Sequence, residues 1–540
     1  MPAGVTAMSV LPAWAETAVF YEVYPQTFHD SDGDGIGDLR GVIAKLDHIA
    51  SLGCDGLWLN PFYQSPMRDA GYDVEDFYQV DPRYGSNADA RALFAAARAK
   101  GIRTIVDFVP GHTAETHDWF RRSVRGEEPY RDWYVWTDSA WNAGGPEFAG
   151  KMLHGTTDRD GNVLVNFFAH QPALNFGFGK PEQPWQLPTT HPNVRKLWDE
   201  MKRVQQYWLD MGACGFRIDM AGSITRKDEA SAEARRFWSE CRRDVWGADT
   251  FTVAEWSYPK HALDGEGLHS DFLHWVPAYE NLFRKESARH PCPRSQPSGH
   301  SWFDRQGLGD IHAFIQVYLE HFTATQGKGV ICIPCGNHDL PRISIGRDER
   351  DLEIVHAFLL TMPGVPFLYY GDEIGLRQQY GLEPKEGCYA PRAGSRIPMQ
   401  WDAGPNLGFS DAAPHQLWYP VDGNAGAPTV AAQEADSASL LHRMRALIHL
   451  RRSEPALRAS AGFQVLHCQP NAYPFAFLRS GPDGRQAVVV LNPSDRPFAI
   501  TVEVLGIATA LQALDCTAKT VAGRMVLEGA GRSYGIFALG

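Results

Sequence analysis

Short apolar runs recur along the first 370 positions, each followed by a longer stretch of mixed polarity. They lie at 18–25 (AVFYEVYP), 56–61 (GLWLNP), 104–109 (TIVDFV), 215–219 (GFRID), 250–256 (TFTVAEW), 271–275 (DFLHW), 330–335 (VICIPC) and 366–371 (PFLYYG). Runs of this length, rich in β-branched and aromatic residues, predict buried strands. Between several of them the apolar positions take helical spacing, as at 87–100 and 311–321. Strands alternating with helices predict a parallel α/β fold, and eight is the number that closes a (β/α)8 TIM barrel. Such barrels place their reactive groups at the C-terminal ends of the strands.

Two stretches depart from a minimal barrel. Residues 113–190 are rich in Trp, Gly, Asp and Pro with little helical periodicity, and read as a small irregular subdomain inserted after the third strand. Residues 372–436 form a Gly- and Pro-rich passage ahead of a helical segment at 437–452. From 457 to 540 the pattern changes to alternating short runs with turn residues between them (AYPFAFLR, QAVVVLN, FAITVEVL, SYGIFALG), as in an all-β domain. The expected organisation is a barrel from 1–112 and 191–456, the insert at 113–190, and a C-terminal β-sandwich at 457–540. No internal repeat is present at the period of a solenoid or propeller.

Composition narrows the function. The chain has 540 residues, 44% hydrophobic, 12% aromatic and 21% charged, proportions that exclude a disordered, collagenous or coiled-coil protein. Lys plus Arg is 51 against 64 for Asp plus Glu, a net charge of −13 with no basic block, so nucleic acid is not an expected partner. A neutral or cationic substrate fits better than an anionic one. No stretch approaches the ~18 uninterrupted apolar residues of a membrane span, and the opening MPAGVTAMSVLPAWAE lacks the basic start of a secretory signal. Nine scattered cysteines, an odd count, argue against a disulfide framework and for a reducing, cytoplasmic setting. Cys332 and Cys335 form a C-x-x-C inside an apolar run and read as buried strand residues.

Four acids fall at or near strand ends: Asp107 in the third run, Asp219 closing the fourth, Glu255 in the fifth and Asp339 after the seventh. Barrel closure points them at one cleft, and two or three carboxylates around one sugar ring are what glycosidic chemistry needs. Arg217 and Asp219 are two apart on a strand and share a face, so the guanidinium is expected to hold Asp219 ionised, as a nucleophile. Glu255, among apolar neighbours, suits a general acid. His112, Asn337 and His338 stand close enough in sequence to offer hydrogen bonds to sugar hydroxyls.

In that order, DFVPGH (107–112), GFRID (215–219), VAEW (253–256) and NHD (337–339) resemble the motifs of glycoside hydrolase family 13, the α-amylase family. The resemblance extends to Gly71-Tyr72-Asp73, to QPALN (171–175) and to RIPMQWD (396–402), nearly the whole chain. It implies that Asp219 is the nucleophile, Glu255 the acid/base and Asp339 the transition-state stabiliser. Tyr72, His112, Arg217 and His338 would then line the subsite of the attacked glucose.

Within the family the chain looks most like the oligo-1,6-glucosidase, α-glucosidase and trehalose synthase branch. DSDGDGIGD (30–38) alternates Asp with Gly, placing oxygens around one point as a hard cation requires. Its twelfth position is Gly41 rather than Glu, which excludes an EF-hand. The resemblance implies a structural Ca²⁺, or Mg²⁺, held by Asp30, Asp32, Asp34, the Ile36 carbonyl and Asp38. It also implies that Asp69 and Arg396 close the pocket around a terminal glucose, as in exo-acting relatives. Four departures stand out. Gly111 replaces the usual Asn and Ala173 the usual Asp, which removes the second calcium site of α-amylases. Met220 and Trp256 follow the nucleophile and the acid where other residues are usual, and Trp256 is expected to wall the acceptor side.

The expected function is a retaining exo-acting α-glucosidase or α-glucosyltransferase acting on short oligosaccharides or α-glucosides. A disaccharide isomerase or trehalose synthase-type enzyme is the first alternative, and a non-catalytic binding or transport subunit a remote one. No organic cofactor is expected, and the sequence does not fix the oligomeric state.

Overall fold

The computed structural model describes residues 10–154, 157–283, 300–388 and 390–540. The start of the chain that was read for a targeting signal lies, through residue 9, outside them, as does Cys292.

Eight parallel strands occupy the eight apolar runs: β1 (Phe20–Val23), β2 (Gly56–Leu59), β3 (Arg103–Phe108), β4 (Gly215–Ile218), β5 (Phe251–Ala254), β6 (Ser270–Phe272), β7 (Val330–Cys332) and β8 (Phe367–Tyr369). Their order is β7-β6-β5-β4-β3-β2-β1-β8, each beside its sequence neighbour apart from β8, which returns to pair with β1. At the remaining seam a Cβ on Gly364 would collide with the carbonyl oxygen of Ile331, so the chain ahead of β8 packs directly on β7. Nearly every strand residue is buried, because helices cover the outside and side chains fill the inside.

The helices follow from local rules. Ser86 accepts from the Asp89 N–H and Asp89 reaches back, a capping box that starts α1 (Asn87–Ala99). In α2 (Pro192–Met211), Val194, Leu197, Trp198, Met201, Val204 and Trp208 recur at helical spacing on the buried face, and Gly212 at φ 118° ends it. The helix read at 311–321 runs on as α3 (His312–Thr325). Then come α4 (Glu349–Thr361), capped by Asp348, and α5 (Leu440–Ser453).

The barrel interior is layered. Phe20, Trp58, Ile105, Phe251, Phe272 and Phe367 form an apolar plug toward the strands' N-terminal ends, with Phe20 stacked on Phe367 at 4.7 Å. Side chains alternate along a strand, so residues two further on face the same interior. Four of those six residues are Glu22, Asn60, Asp107 and His274, all buried. A polar layer therefore sits on the plug at the C-terminal end.

The insert after β3 has its own apolar cluster, including Val135, Phe148, Leu164, Phe178 and Trp185, and one two-stranded pairing of Met152–Leu153 with Val163–Leu164. The chain ends in an antiparallel sheet: β9 (Gly462–His467), β10 (Phe475–Ser480), β11 (Gln486–Asn492), β12 (Phe498–Val502), β13 (Ala508–Val521) and β14 (Arg524–Leu539). The long β14 pairs with β11, β12 and β13. The eight described cysteines are free, and Cys332 and Cys335 are buried.

Candidate active site

Arg217, third residue of β4, sits almost wholly buried at the centre of the polar layer. Its Nη1 donates to Asp107 Oδ1 at 2.9 Å and to Asp219 Oδ1 at 2.8 Å, and its Nη2 donates to Glu255 Oε2 at 2.5 Å. Asp219 and Glu255 each stand one residue beyond a strand. Their N–H groups continue the barrel ladder, Asp219 to Phe108 O at 2.9 Å and Glu255 to Ile218 O at 2.8 Å, which fixes the two carboxyls side by side. One cation thus serves three carboxylates. Burial and the facing Glu255 push the Asp219 carboxyl well above its ordinary range, and Arg217 pulls the other way without prevailing. Burial and Glu255 thus outweigh the guanidinium that was expected to hold Asp219 ionised.

Asp107 does not join the cleft. It is the fifth of six residues in β3, wholly buried, and accepts from Arg217, from Trp58 Nε1 at 3.0 Å and from Tyr72 OH at 3.1 Å. His338 is similarly internal. Its Nδ1 lies 2.8 Å from Glu22 Oε1 and its Nε2 2.6 Å from the Tyr72 hydroxyl, with the Tyr72 ring stacked on it at 5.2 Å. Burial holds the His338 imidazole well below its usual range. Arg217 and His338 therefore lie behind the pocket wall, where their nitrogens hold the residues that form it.

Asp339 is gripped by Arg392 Nε at 2.9 Å and Arg396 Nη2 at 3.1 Å. Burial works to raise this carboxyl, but Arg392, His338, Arg396 and Arg217 outweigh it and hold it well below the carboxylate range. Asp69 receives Gln171 Nε2 at 2.7 Å and faces Arg392 Nη1 at 3.8 Å. Burial dominates there and pushes Asp69 up to about 7. The arginine that meets Asp69 is thus Arg392, not Arg396. Arg396 is buried beneath, donating from Nε to the His338 carbonyl at 2.7 Å and from Nη1 to Cys388 Sγ at 3.0 Å. The two arginines are four apart, one helical turn, which places both on Asp339.

These groups open into a cavity of about 710 Å³. Asp219, Glu255 and Asp339 line it, and so do Asp69, Tyr72, His112 and Trp256 as expected. His112 is steadied by the Tyr72 carbonyl at 3.0 Å and the Asn166 amide at 3.1 Å, and burial lowers it to about 4. That amide also donates to the Gly111 carbonyl at 2.9 Å. Sequence reasoning missed Arg392, Phe167, Tyr258 and Trp275 in the lining. Trp275 is the most telling omission, because its Nε1 donates to Glu255 Oε1 at 2.7 Å. The run DFLHW placed it at a strand end, and that position was the available signal.

The acidic loop at 30–38 lies apart from this cleft. Carboxylate oxygens of Asp30, Asp32 and Asp38 come within 4.8 Å of one another. Asp34 is not in that group; it accepts from the Ile36 N–H at 2.8 Å. Burial and the neighbouring Asp34, Asp38 and Asp30 raise Asp32.

The α-amylase catalytic-domain family model matches residues 22–460. The chain is 30% identical to the trehalose synthase/amylase TreS of Mycobacterium tuberculosis, over 92% of this chain and 85% of that protein. It is 28% identical to the oligo-1,6-glucosidase of Parageobacillus thermoglucosidasius, over 89% and 91%. The crystal structure of trehalulose synthase MutB from Pseudomonas mesoacidophila superposes with a TM-score of 0.79 at 26% identity, covering 98% of this chain and 99% of that one. With its catalytic domain matched across most of its length, this chain belongs to the α-amylase family of glycoside hydrolases.

Proposed function

We propose that the protein is a retaining, exo-acting α-glucosidase or α-glucosyltransferase that removes one terminal glucosyl unit from short α-glucosides. The observation that carries this is the polar cluster of Asp69, Arg392 and Asp339 that lines the cavity together with Asp219 and Glu255. Carboxylate and guanidinium groups both bind vicinal hydroxyls, and such a cluster suits the several free hydroxyls of a terminal glucose.

Chemistry starts with Glu255 protonated and Asp219 ionised. That proton passes to the glycosidic oxygen as the C1–O bond breaks, and Asp219 forms an ester bond to C1. Asp339, ionised and held by two arginines, binds the ring hydroxyls and favours the distorted sugar. Glu255, now a carboxylate, takes a proton from water or an acceptor hydroxyl, whose oxygen displaces Asp219 from C1. One guanidinium bonding both carboxyls holds them side by side, which supports the short separation of a retaining pair over the wider one of an inverting pair. Asp219→Asn is expected to lower kcat/KM by roughly 10⁴ or more with the fold intact by circular dichroism; activity near wild type sinks the proposal.

An isomerising transfer is the second reading, favoured by the likeness to trehalose and trehalulose synthases. Chromatography of products from maltose, trehalose and sucrose separates the two: free glucose marks hydrolysis, and a rearranged disaccharide marks isomerisation.

We further propose a structural Ca²⁺ or Mg²⁺ at Asp30, Asp32 and Asp38, with Asp34 and the Ile36 carbonyl as additional oxygens. The clustered carboxylates and the raised Asp32 support it, since a hard cation relieves their repulsion. Millimolar Ca²⁺ is expected to raise Tm, and Asp32→Asn to abolish the rise. The free cysteines support a cytoplasmic location; among the described residues no helix is long and apolar enough to cross a membrane.

A further inference from the structure

Two parts of the cavity lining differ in chemistry. Asp339, Arg392 and the Asp69–Tyr72 turn follow β7, β8 and β2 and are polar. Trp256 and Tyr258 follow β5, Trp275, Val276 and Pro277 follow the adjacent β6, and Phe167 from the insert lines the same cavity. Glu255, which serves the departing and the incoming oxygen in the reading above, directly precedes Trp256 and accepts from the Trp275 indole, so this aromatic wall meets whatever is attached to the glucosyl unit.

The polar atoms of this wall are already committed to the protein. The N–H groups of Trp256, Ser257 and Tyr258 donate to buried Asp271 at 2.9, 3.2 and 3.0 Å. The Trp275 N–H donates to Ser257 Oγ at 3.2 Å, and that oxygen also meets His274 Nδ1 at 3.3 Å. The Trp275 indole N–H is spent on Glu255. The Tyr258 hydroxyl interacts with Lys260. A second sugar ring in this half could lay a C–H face on these rings but would find few protein partners for its hydroxyls. A flat apolar ring needs no such partners and gains aromatic contact with indole and phenyl faces. Phe167, 56% exposed, has a free face at the mouth for such a ring.

We infer that the aglycone and acceptor side of this site takes aromatic alcohols, so that the protein cleaves, and by reversal forms, α-glucosides of aryl-bearing alcohols in preference to glucose–glucose linkages. This rests on the glucosyl-transfer reading above. In the transfer step the acceptor hydroxyl gives its proton to Glu255, its oxygen bonds to C1, and the C1–O bond to Asp219 breaks to release the carboxylate.

The test uses α-glucosyl fluoride, a donor with no aglycone, with benzyl alcohol, methanol and glucose as acceptors at equal molarity. Fluoride release reports the glucosyl-enzyme alone; its absence overturns the transfer reading and this inference with it. With fluoride released, benzyl alcohol is expected to capture at least ten times more glucosyl than methanol or glucose. Equal capture by the three, or better capture by glucose, overturns the inference and leaves the glycosidase reading standing. Phe167→Ala, and Tyr258→Ala as a second variant, are expected to lower the benzyl glucoside to free glucose ratio at least threefold. That ratio does not depend on how much protein folds, and an unchanged ratio in both variants counts against the wall.

Discussion

At the residue scale, Asp69 sets a testable conflict between binding and stability. Its side chain is buried among Arg392, Arg396, Asp73 and Gln171, and burial prevails, pushing it up to about 7 from 3.8. Its folded value exceeds its unfolded one, so its stabilising contribution is present below about 4 and is lost as pH rises through about 7. At pH 8 the ionised, buried carboxylate costs roughly 4 kcal/mol against the unfolded chain. Sugar binding runs the other way, because only the carboxylate accepts two hydroxyl hydrogens. Inhibition by glucose is therefore expected to weaken as pH falls below about 7 in the wild-type protein. In Asp69→Asn it should be weaker throughout and flat with pH. The same variant should melt higher than wild type at pH 8, with the difference shrinking toward pH 4. A pH-independent inhibition constant in the wild type would show that Asp69 does not titrate in this range.

At the scale of elements, the strands carry the site because their period is two and their ends are in register. The apolar runs are readable because strands buried on both faces need continuous hydrophobic sequence, and one register step separates Phe20 from Glu22 and Ile105 from Asp107. What the sequence could not reveal depends on distance in the fold. Arg392 comes from a long irregular passage whose path no periodicity constrains, and it displaced Arg396 from Asp69. Asn166, 55 positions on from Gly111, bonds both its carbonyl and the His112 ring, a link that no local pattern announces. Asp271 is a further example. It lies in β6, beside Glu255's strand, and collects three successive N–H groups from the turn 256–258. Burial pushes this carboxyl well up, and those three donors oppose it. Asp271→Ala leaves three N–H groups without acceptors at the base of the aromatic wall. A loss of about 3 kcal/mol in urea unfolding is expected, with kcat falling at least tenfold because the turn that follows Glu255 loosens. Asp271→Asn, which keeps an acceptor oxygen, should recover part of both.

At the scale of the whole molecule, the terminal sheet and the barrel are expected to unfold as one unit, because they share a core. Phe475, Phe477, Leu491, Tyr534 and Ile536 belong to the same apolar cluster as the barrel helices, while Val488, Val490, Met525 and Phe537 form the sheet's separate second layer. Polar links reinforce the join: the Tyr534 hydroxyl donates to Glu353 Oε1 in α4 at 2.8 Å, and Arg532 Nε to Asp351 Oδ1 at 2.8 Å. Arg479 in β10 is wholly buried and meets only carbonyls, donating to Thr361 at the end of α4, to Gly462 at 3.0 Å and to Arg458 at 2.8 Å. Burial and the nearby Arg451 hold this guanidinium well below its ordinary range. It works as a five-donor staple whose removal strands several carbonyls at the junction. Arg479→Met keeps the apolar stem and removes the donors, and is expected to cost about 3 kcal/mol. Activity and far-UV circular dichroism should then shift together to lower urea. The staple lies at the opposite end of the barrel from the cleft, so the variant's kcat/KM under native conditions should stay within about twofold of wild type. If the sheet instead melted alone, circular dichroism would fall in two steps with activity following only the second, and the shared core would not couple the two parts.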